Sequence, residues 1–319
     1  MASSPSRVPR RVFLAGPLAA LVAACRSRPR DNGTVRVETL DLAGRSIDWL
    51  ALPNASRSYK FAVIGDGGRG WPPQHDIARR MAAYHERFAF PLVLMVGDNI
   101  YEGPASPDDY RTKFEEPYRV LREAGVRFQA VLGNHDDPNQ RFYAGFNMEG
   151  QRFYTFEPPG PALARLRDVV RVFAIDSTYV NADQLAWLDR ELTRSRARWK
   201  ICMLHHPLYT GGRYGRTALL MRWHLESLLV EKGVHVVFSG HEHFYQRSAP
   251  QQGIVHFTSG AAGSLREGDA TEGDPIARAF DRDYHFMLVE IVDDALHFQA
   301  ITRAGVTVDA GVIRLGHAS

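Results

Sequence analysis

The sequence predicts an α/β protein in which two mixed β-sheets pack as a sandwich with helices on both outer faces. Two observations carry this. From Tyr59 to residue 243, apolar strand-like runs alternate with amphipathic segments, which implies a sheet with helices packed outside it. After residue 243 strands dominate, which implies a second sheet laid on the first. A third observation limits the count: 319 residues, 45% hydrophobic and 24% charged, show no repeat or low-complexity linker over residues 58–316, as expected for a single domain there.

The N-terminus reads as an export signal over residues 1–24. It carries three arginines, no acid and a 13-residue apolar run, Val12 to Ala24, interrupted by Gly16 and Pro17. A bilayer span needs about 20 residues. Arg10 and Arg11 before Val12, Phe13 and Leu14 resemble the bacterial twin-arginine signal for folded cargo. VAAC (22–25) resembles a lipoprotein signal-peptidase box, which makes Cys25 the lipidated first residue of the mature chain. The expectation is a bacterial protein, exported to the periplasm or cell surface and held at a membrane by that lipid. Loss of Arg7, Arg10 and Arg11 takes the formal charge from +3 to 0. Neither this balance nor any later basic cluster points to nucleic acid. The other cysteine, Cys202, lies in the apolar run WKICML and reads as a buried thiol.

Residues 25–57 read as a polar tether and N-terminal segment, with a short strand pair near 35–57. The catalytic domain is expected over 58–316. Its strands are YKFAVIGD, PLVLMVGD, RFQAVLGNHD, VVRVFAIDS, WKICMLHH and VHVVFSGHEH, then GIVHFTSG, DYHFMLVEIVD, ALHFQAITRAG and VTVDAGVIRL. Helices are expected over 75–89, 107–124, 182–195 and 217–232.

Five apolar runs end in a small polar cluster: GDGG (65–68), GDNIY (97–101), GNHDD (133–137), HHP (205–207) and GHEH (240–243). Ligands bind beyond the carboxyl ends of strands in open α/β sheets, so these clusters are expected on one rim. They offer Asp66, Asp98, Tyr101, Asn134, His135, Asp136, His205, His206, His241 and His243. Oxygen and imidazole donors without thiolate suit iron, manganese or zinc. The set exceeds what one tetrahedral ion uses, so two ions sharing a carboxylate are expected. Such a pair clamps the oxygens of an in-line displacement and generates hydroxide near neutral pH, the chemistry of phosphoester hydrolysis. The glycine before Asp66, Asp98, Asn134 and His241 is expected to let the backbone turn sharply and bring each ligand close to the metal pair.

In order and composition the five blocks resemble the signature of calcineurin-like metallophosphoesterases. GDNIY, with its tyrosine, resembles purple acid phosphatases, nearest to the small tartrate-resistant type. The resemblance implies that Asp66, Tyr101 and His243 hold Fe(III), that Asn134, His205 and His241 hold a divalent ion (Fe, Zn or Mn), and that Asp98 bridges them. It also implies that His135 faces the substrate, as a steadying group or as proton donor to the leaving oxygen. Asp136 reads as an orienting group, and His206 as turned toward either substrate or core.

There are departures. The second substrate-facing histidine of the animal enzymes is missing from LYTGGRYGRT (208–217), where Arg213, Tyr214 or Arg216 are the replacements for phosphate contact, beside Asn134 and His206. The long loop over the animal active site is absent too, since DSTYVNADQLAWL passes almost directly from strand to helix; a more open site is expected. The remaining histidines, 75, 85, 224, 235, 256, 285, 297 and 317, read as packed or solvated. Together these features predict an acid phosphatase acting on small phosphomonoesters, with a phosphodiesterase on the same ions as the alternative. Oligomeric state is not legible.

Overall fold

A computed structural model describes residues 35–41, 50–159 and 169–316. Arg7, Arg10, Arg11, Cys25 and His317 lie outside the described residues, and with them the signal and lipidation sites. Fourteen strands are described: β1 (Arg36–Thr39), β2 (Tyr59–Ile64), β3 (Leu92–Met95), β4 (Arg127–Ala130), β5 (Tyr154–Phe156), β6 (Val170–Ala174), β7 (Trp199–Met203), β8 (Val236–Ser239), β9 (Tyr245–Ser248), β10 (Val255–Ser259), β11 (Ile276–Phe280), β12 (His285–Val292), β13 (Ala295–Thr302) and β14 (Thr307–Arg314). They form two seven-stranded sheets, ordered β1-β14-β13-β12-β2-β3-β4 and β11-β9-β10-β8-β7-β6-β5.

The sandwich and its mixed sheets are as expected, but the division of strands is not. The late strands do not form a sheet of their own. β12 pairs antiparallel with β2, Val289 opposite Phe61, and brings β13 and β14 into the first sheet. The second sheet starts in mid-chain, with β6, β7, β8 and β10 parallel to one another. The physical reason is edge satisfaction: β3 covers only one side of β2, and the edge left on its other side is filled by β12. The strand pair expected near 35–57 is, among the described residues, the single strand β1, which pairs with β14.

Period-two alternation explains the layers. In β2, Phe61 and Val63 face the inter-sheet core with Trp199, Phe238 and Phe298, while Ala62 and Ile64 face Ile77, Met81 and Phe88. Those last three lie on the helix Pro72–Phe88, which begins with prolines at its first two positions. Across the sandwich, Phe173, Cys202 and Val237 face the helix Ala182–Arg194 through Leu188 and Leu192. Asn181 caps that helix, its side chain accepting from Gln184 N. Cys202 is a buried free thiol. The helices expected over 107–124 and 217–232 each contain a wide π-type turn, Arg111–Glu115 and Arg222–Glu226.

Candidate dimetal site

All five clusters converge, but at the seam of two sheets rather than on the rim of one open sheet. Asp66, Asp98 and Asn134 follow β2, β3 and β4 of the first sheet. His205 follows β7 of the second, and His241 and His243 follow β8. The closeness of the seam shows at Gly65, where a Cβ would stand 2.7 Å from Ser259 O of the opposite sheet.

The turning expected of the glycines falls largely to other residues. Of the four before Asp66, Asp98, Asn134 and His241, only Gly97 is left-handed, at φ 94°. The other left-handed residues are Asp66 (φ 56°), Asp98 (φ 52°) and His241 (φ 68°) themselves. Each stores local strain of about 1–3 kcal/mol that the surrounding structure must offset. What the glycines supply is room. A Cβ on Gly133 would stand 2.2 Å from Asp98 Oδ1, and one on Gly240 2.5 Å from Asp66 Oδ2.

Two donor groups result. In the first, Tyr101 Oη lies 3.3 Å from Asp66 Oδ1 and 3.2 Å from His243 Nε2, and His243 Nε2 lies 3.3 Å from the same Asp66 oxygen. In the second, Asn134 Oδ1 lies 3.0 Å from His205 Nε2 and 2.8 Å from His241 Nδ1. Asp98 stands between them, its Oδ1 3.4 Å from His205 Nε2 and accepting from His135 N at 3.0 Å. His205 Nδ1 donates to Val96 O at 2.9 Å, which fixes the tautomer and leaves Nε2 for the site.

Electrostatics fit cations. Burial and the neighbouring charge of Asp98 push Asp66 well above the ordinary carboxylate range. Burial raises Asp98 as well, but His205 and the hydrogen bond from His135 outweigh it and leave Asp98 lowered. Burial pushes His241 down to about 2 and His243 to about 3, aided by His205 for the first and Arg266 for the second, so both stay neutral with lone pairs available. Two crowded carboxylates facing neutral imidazoles with no thiolate suit a pair of oxygen- and nitrogen-loving ions. The residues present therefore fit a dinuclear metal centre.

Around this core the other expected residues separate. His135 is exposed, its ring 4.9 Å from that of Tyr101. Asp136 is buried and accepts from Asn99 N, Asn99 Nδ2, Ile100 N and Gly133 N, tying two donor loops together. The ambiguity at His206 is resolved by counting: Ser177 Oγ accepts from His205 N at 3.1 Å and His206 N at 2.9 Å, which uses both lone pairs. Its own proton goes to His206 Nδ1 at 3.0 Å, so the ring keeps its proton on Nε2. Burial and His205 push His206 down to about 3, so it stays neutral. That ring packs 4.4 Å from His241 and faces the site.

Of the three replacements in 208–217, Tyr214 packs against His241 with its ring tilted by 39° and the ring centres 4.2 Å apart. Arg213 is exposed and turned to Asp269 at 2.9 Å, and Arg216 is exposed on the helix Gly215–Met221. Sequence reasoning missed Ser177, Glu242, Arg69 and Arg266. Arg69 stacks 3.5 Å over Tyr101 and donates to Ser264 at 3.1 Å. A signal for the last of these existed: GAAGS (260–264), after β10, is a sixth small-residue cluster at a strand end. The loop 175–181 is short, as expected, and Asp176 ties it by accepting from Thr178 N at 3.0 Å and Tyr179 N at 3.2 Å.

Comparisons with known proteins agree with this geometry. Residues 59–245 match the family model for calcineurin-like phosphoesterases. Purple acid phosphatase 17 of Arabidopsis thaliana is 28% identical over 247 residues, 66% of this chain and 70% of the relative. Tartrate-resistant acid phosphatase type 5 of Mus musculus is 24% identical over 258 residues, 69% of this chain and 78% of the relative. The solved purple acid phosphatase from yellow lupin seeds superposes with a TM-score of 0.65 at 16% identity, covering 83% of this chain and 55% of that one. The chain thus belongs to the calcineurin-like phosphoesterase family, and within it resembles the purple acid phosphatases.

Proposed function

We propose that this protein is an acid phosphatase of the purple type, which hydrolyses small phosphomonoesters outside the cytoplasm. The observation that carries the reading is Tyr101 Oη, set within 3.3 Å of Asp66 Oδ1 and 3.2 Å of His243 Nε2. A generic dimetal phosphoesterase has no need of a phenol there. Burial and the charges of Asp66 and Asp98 push that phenol far up, so without a strong cation it stays protonated and donates to Asp66.

Asp66, Tyr101 and His243 would hold Fe(III), Asn134, His205 and His241 a divalent Fe, Zn or Mn, and Asp98 would touch both. When bound, the pair supplies Lewis-acid charge and an acidic water. The chain's own groups do the rest. His206 donates Nε2–H toward a phosphoryl oxygen. His135, exposed at the mouth and anchored through its backbone to Asp98, carries the proton to the leaving oxygen. His135→Asn should lower kcat on an aryl phosphate at acid pH by about 100-fold or more at unchanged metal content, the usual worth of a positioned acid. An unchanged rate overturns this role, and a wild-type protein that loads metal but turns over no ester overturns the phosphatase reading.

Export and anchoring rest on residues 1–24 and Cys25. Among the described residues no helix is long and apolar enough to cross a membrane. Replacing Arg10 and Arg11 with lysine should retain the protein in the cytoplasm, and Cys25→Ser should abolish fatty-acid labelling. Normal export or labelling in these variants contradicts the respective reading.

A further inference from the structure

A buried glutamate lies between the two ligands of the GHEH block. Glu242 has its carboxylate turned away from the imidazoles, toward the loop 208–217. Its Oε1 accepts from Thr210 Oγ1 at 2.8 Å and from Tyr214 N at 3.0 Å. Its Oε2 is buried without a hydrogen bond, and the nearest cation is Arg266 Nη1 at 3.6 Å. Arg266 belongs to the loop after β10. Its backbone N donates to His243 O at 3.1 Å, which pins that loop to the ligand segment. The guanidinium lies 5.0 Å over the Tyr214 ring, which in turn lies 4.2 Å from the His241 ring. His241, Tyr214 and Arg266 thus form a row of contacts that starts at an imidazole of the site.

The other arginines nearby are committed elsewhere. Arg213 pairs with Asp269, and Arg69 is stacked on Tyr101 and bonded to Ser264. Arg266 spends only Nη1 on acids: it pairs with Glu242 at 3.6 Å and donates to Asp269 Oδ2 at 3.5 Å. Among the described residues its Nε and Nη2 have no partner. Its side chain is one-fifth exposed. A guanidinium with two spare donors at the edge of the site is built to receive an oxyanion.

We propose that Arg266, positioned by Glu242 and Tyr214, is the specificity-determining residue that binds the third unesterified oxygen of a phosphomonoester. This rests on the phosphoester reading and names its substrate class. A monoester offers three unesterified oxygens and a diester two, so a donor dedicated to the third selects between them. Arg266 thereby takes the place left by the histidine missing from 208–217.

Metal-loaded wild type, Arg266→Gln and Arg266→Lys are compared on an aryl phosphomonoester and its bis-aryl diester, with inorganic phosphate titrated calorimetrically in parallel. Arg266→Gln should lower kcat/KM on the monoester by about 10- to 100-fold, the worth of one charge-assisted hydrogen bond. The diester should fall by a smaller factor, so that the monoester-to-diester ratio drops about tenfold, and phosphate should bind more weakly. Arg266→Lys should restore part of the monoester rate. Equal losses on both esters without rescue by lysine, or unchanged phosphate affinity, overturn the proposal. A wild type that binds phosphate through Arg266 but cleaves neither ester overturns the phosphatase reading and leaves the oxyanion contact standing.

Discussion

At the scale of single residues, the donor atoms are held by crowding as much as by hydrogen bonds. Gly133 is the clearest case, since a methyl there would stand 2.2 Å from Asp98 Oδ1. Real Cβ atoms do not approach so near, and the same methyl would stand 2.3 Å from Asp98 N, so the carboxylate and its backbone must both leave their place between the two donor groups. Gly133→Ala is expected to fold, because the change lies in a loop, yet to lose about 10- to 100-fold in metal affinity or activity, as when an orienting neighbour is removed. Native metal content and rate in that variant contradict the crowding explanation. Glycine in these blocks is visible in the sequence, but its reason is not: neighbours in space decide it, and Asp98 is distant from Gly133 in sequence. For the same reason Ser177 and Arg266 escaped notice, since neither sits in a block with the ligands it serves. That these donor side chains would gather was legible, because each of their polar clusters closes an apolar run.

At the scale of elements, strands with apolar alternation were legible and those without it were not. β9 (YQRS) is polar in composition but fully buried, and it follows the ligand block without a break. β11 is largely exposed, and β5 has only three residues. Pairing with a neighbour, not local pattern, makes these segments strands. Two elements also carry a pH signature. His285 on β12 is fully buried, with Nδ1 lacking a partner and Nε2 3.3 Å from Ser259 Oγ on β10. Burial pushes it down to about 3, from an ordinary 6.5. Since the unfolded chain takes up this proton near 6.5 and the folded chain only near 3, folding loses stability as pH falls through that window, by about 1.4 kcal/mol per unit. His285→Leu lacks this term. The stability of wild type relative to the variant should therefore decline by about that slope between pH 6.5 and 4.5 in thermal unfolding; a constant difference contradicts a neutral buried His285.

At the scale of the whole molecule, the sandwich was legible from alternation followed by a strand-rich tail, while its connectivity was not. Nothing local in ALHFQAITRAG or VTVDAGVIRL tells which sheet they join. The answer lies in the edge of β2 that β3 does not cover, and in a buried network that crosses the sandwich. There Arg247 Nε on β9 and Tyr245 Oη each donate to Asp309 Oδ2 on β14 at 2.7 Å. This topology is what puts carboxylates from one sheet opposite imidazoles from the other. A site at such a seam needs both sheets complete, so metal binding and folding should be linked.

The proposed activity requires that this seam hold two unlike ions, one of them on the Tyr101 phenolate. Metal analysis with a visible absorption spectrum of the purified protein, beside Tyr101→Phe, tests it most directly. Two metal ions per chain, including iron, and a visible band lost in Tyr101→Phe are the expected results. A colourless protein with one ion or none, or a band that survives in Tyr101→Phe, would contradict it.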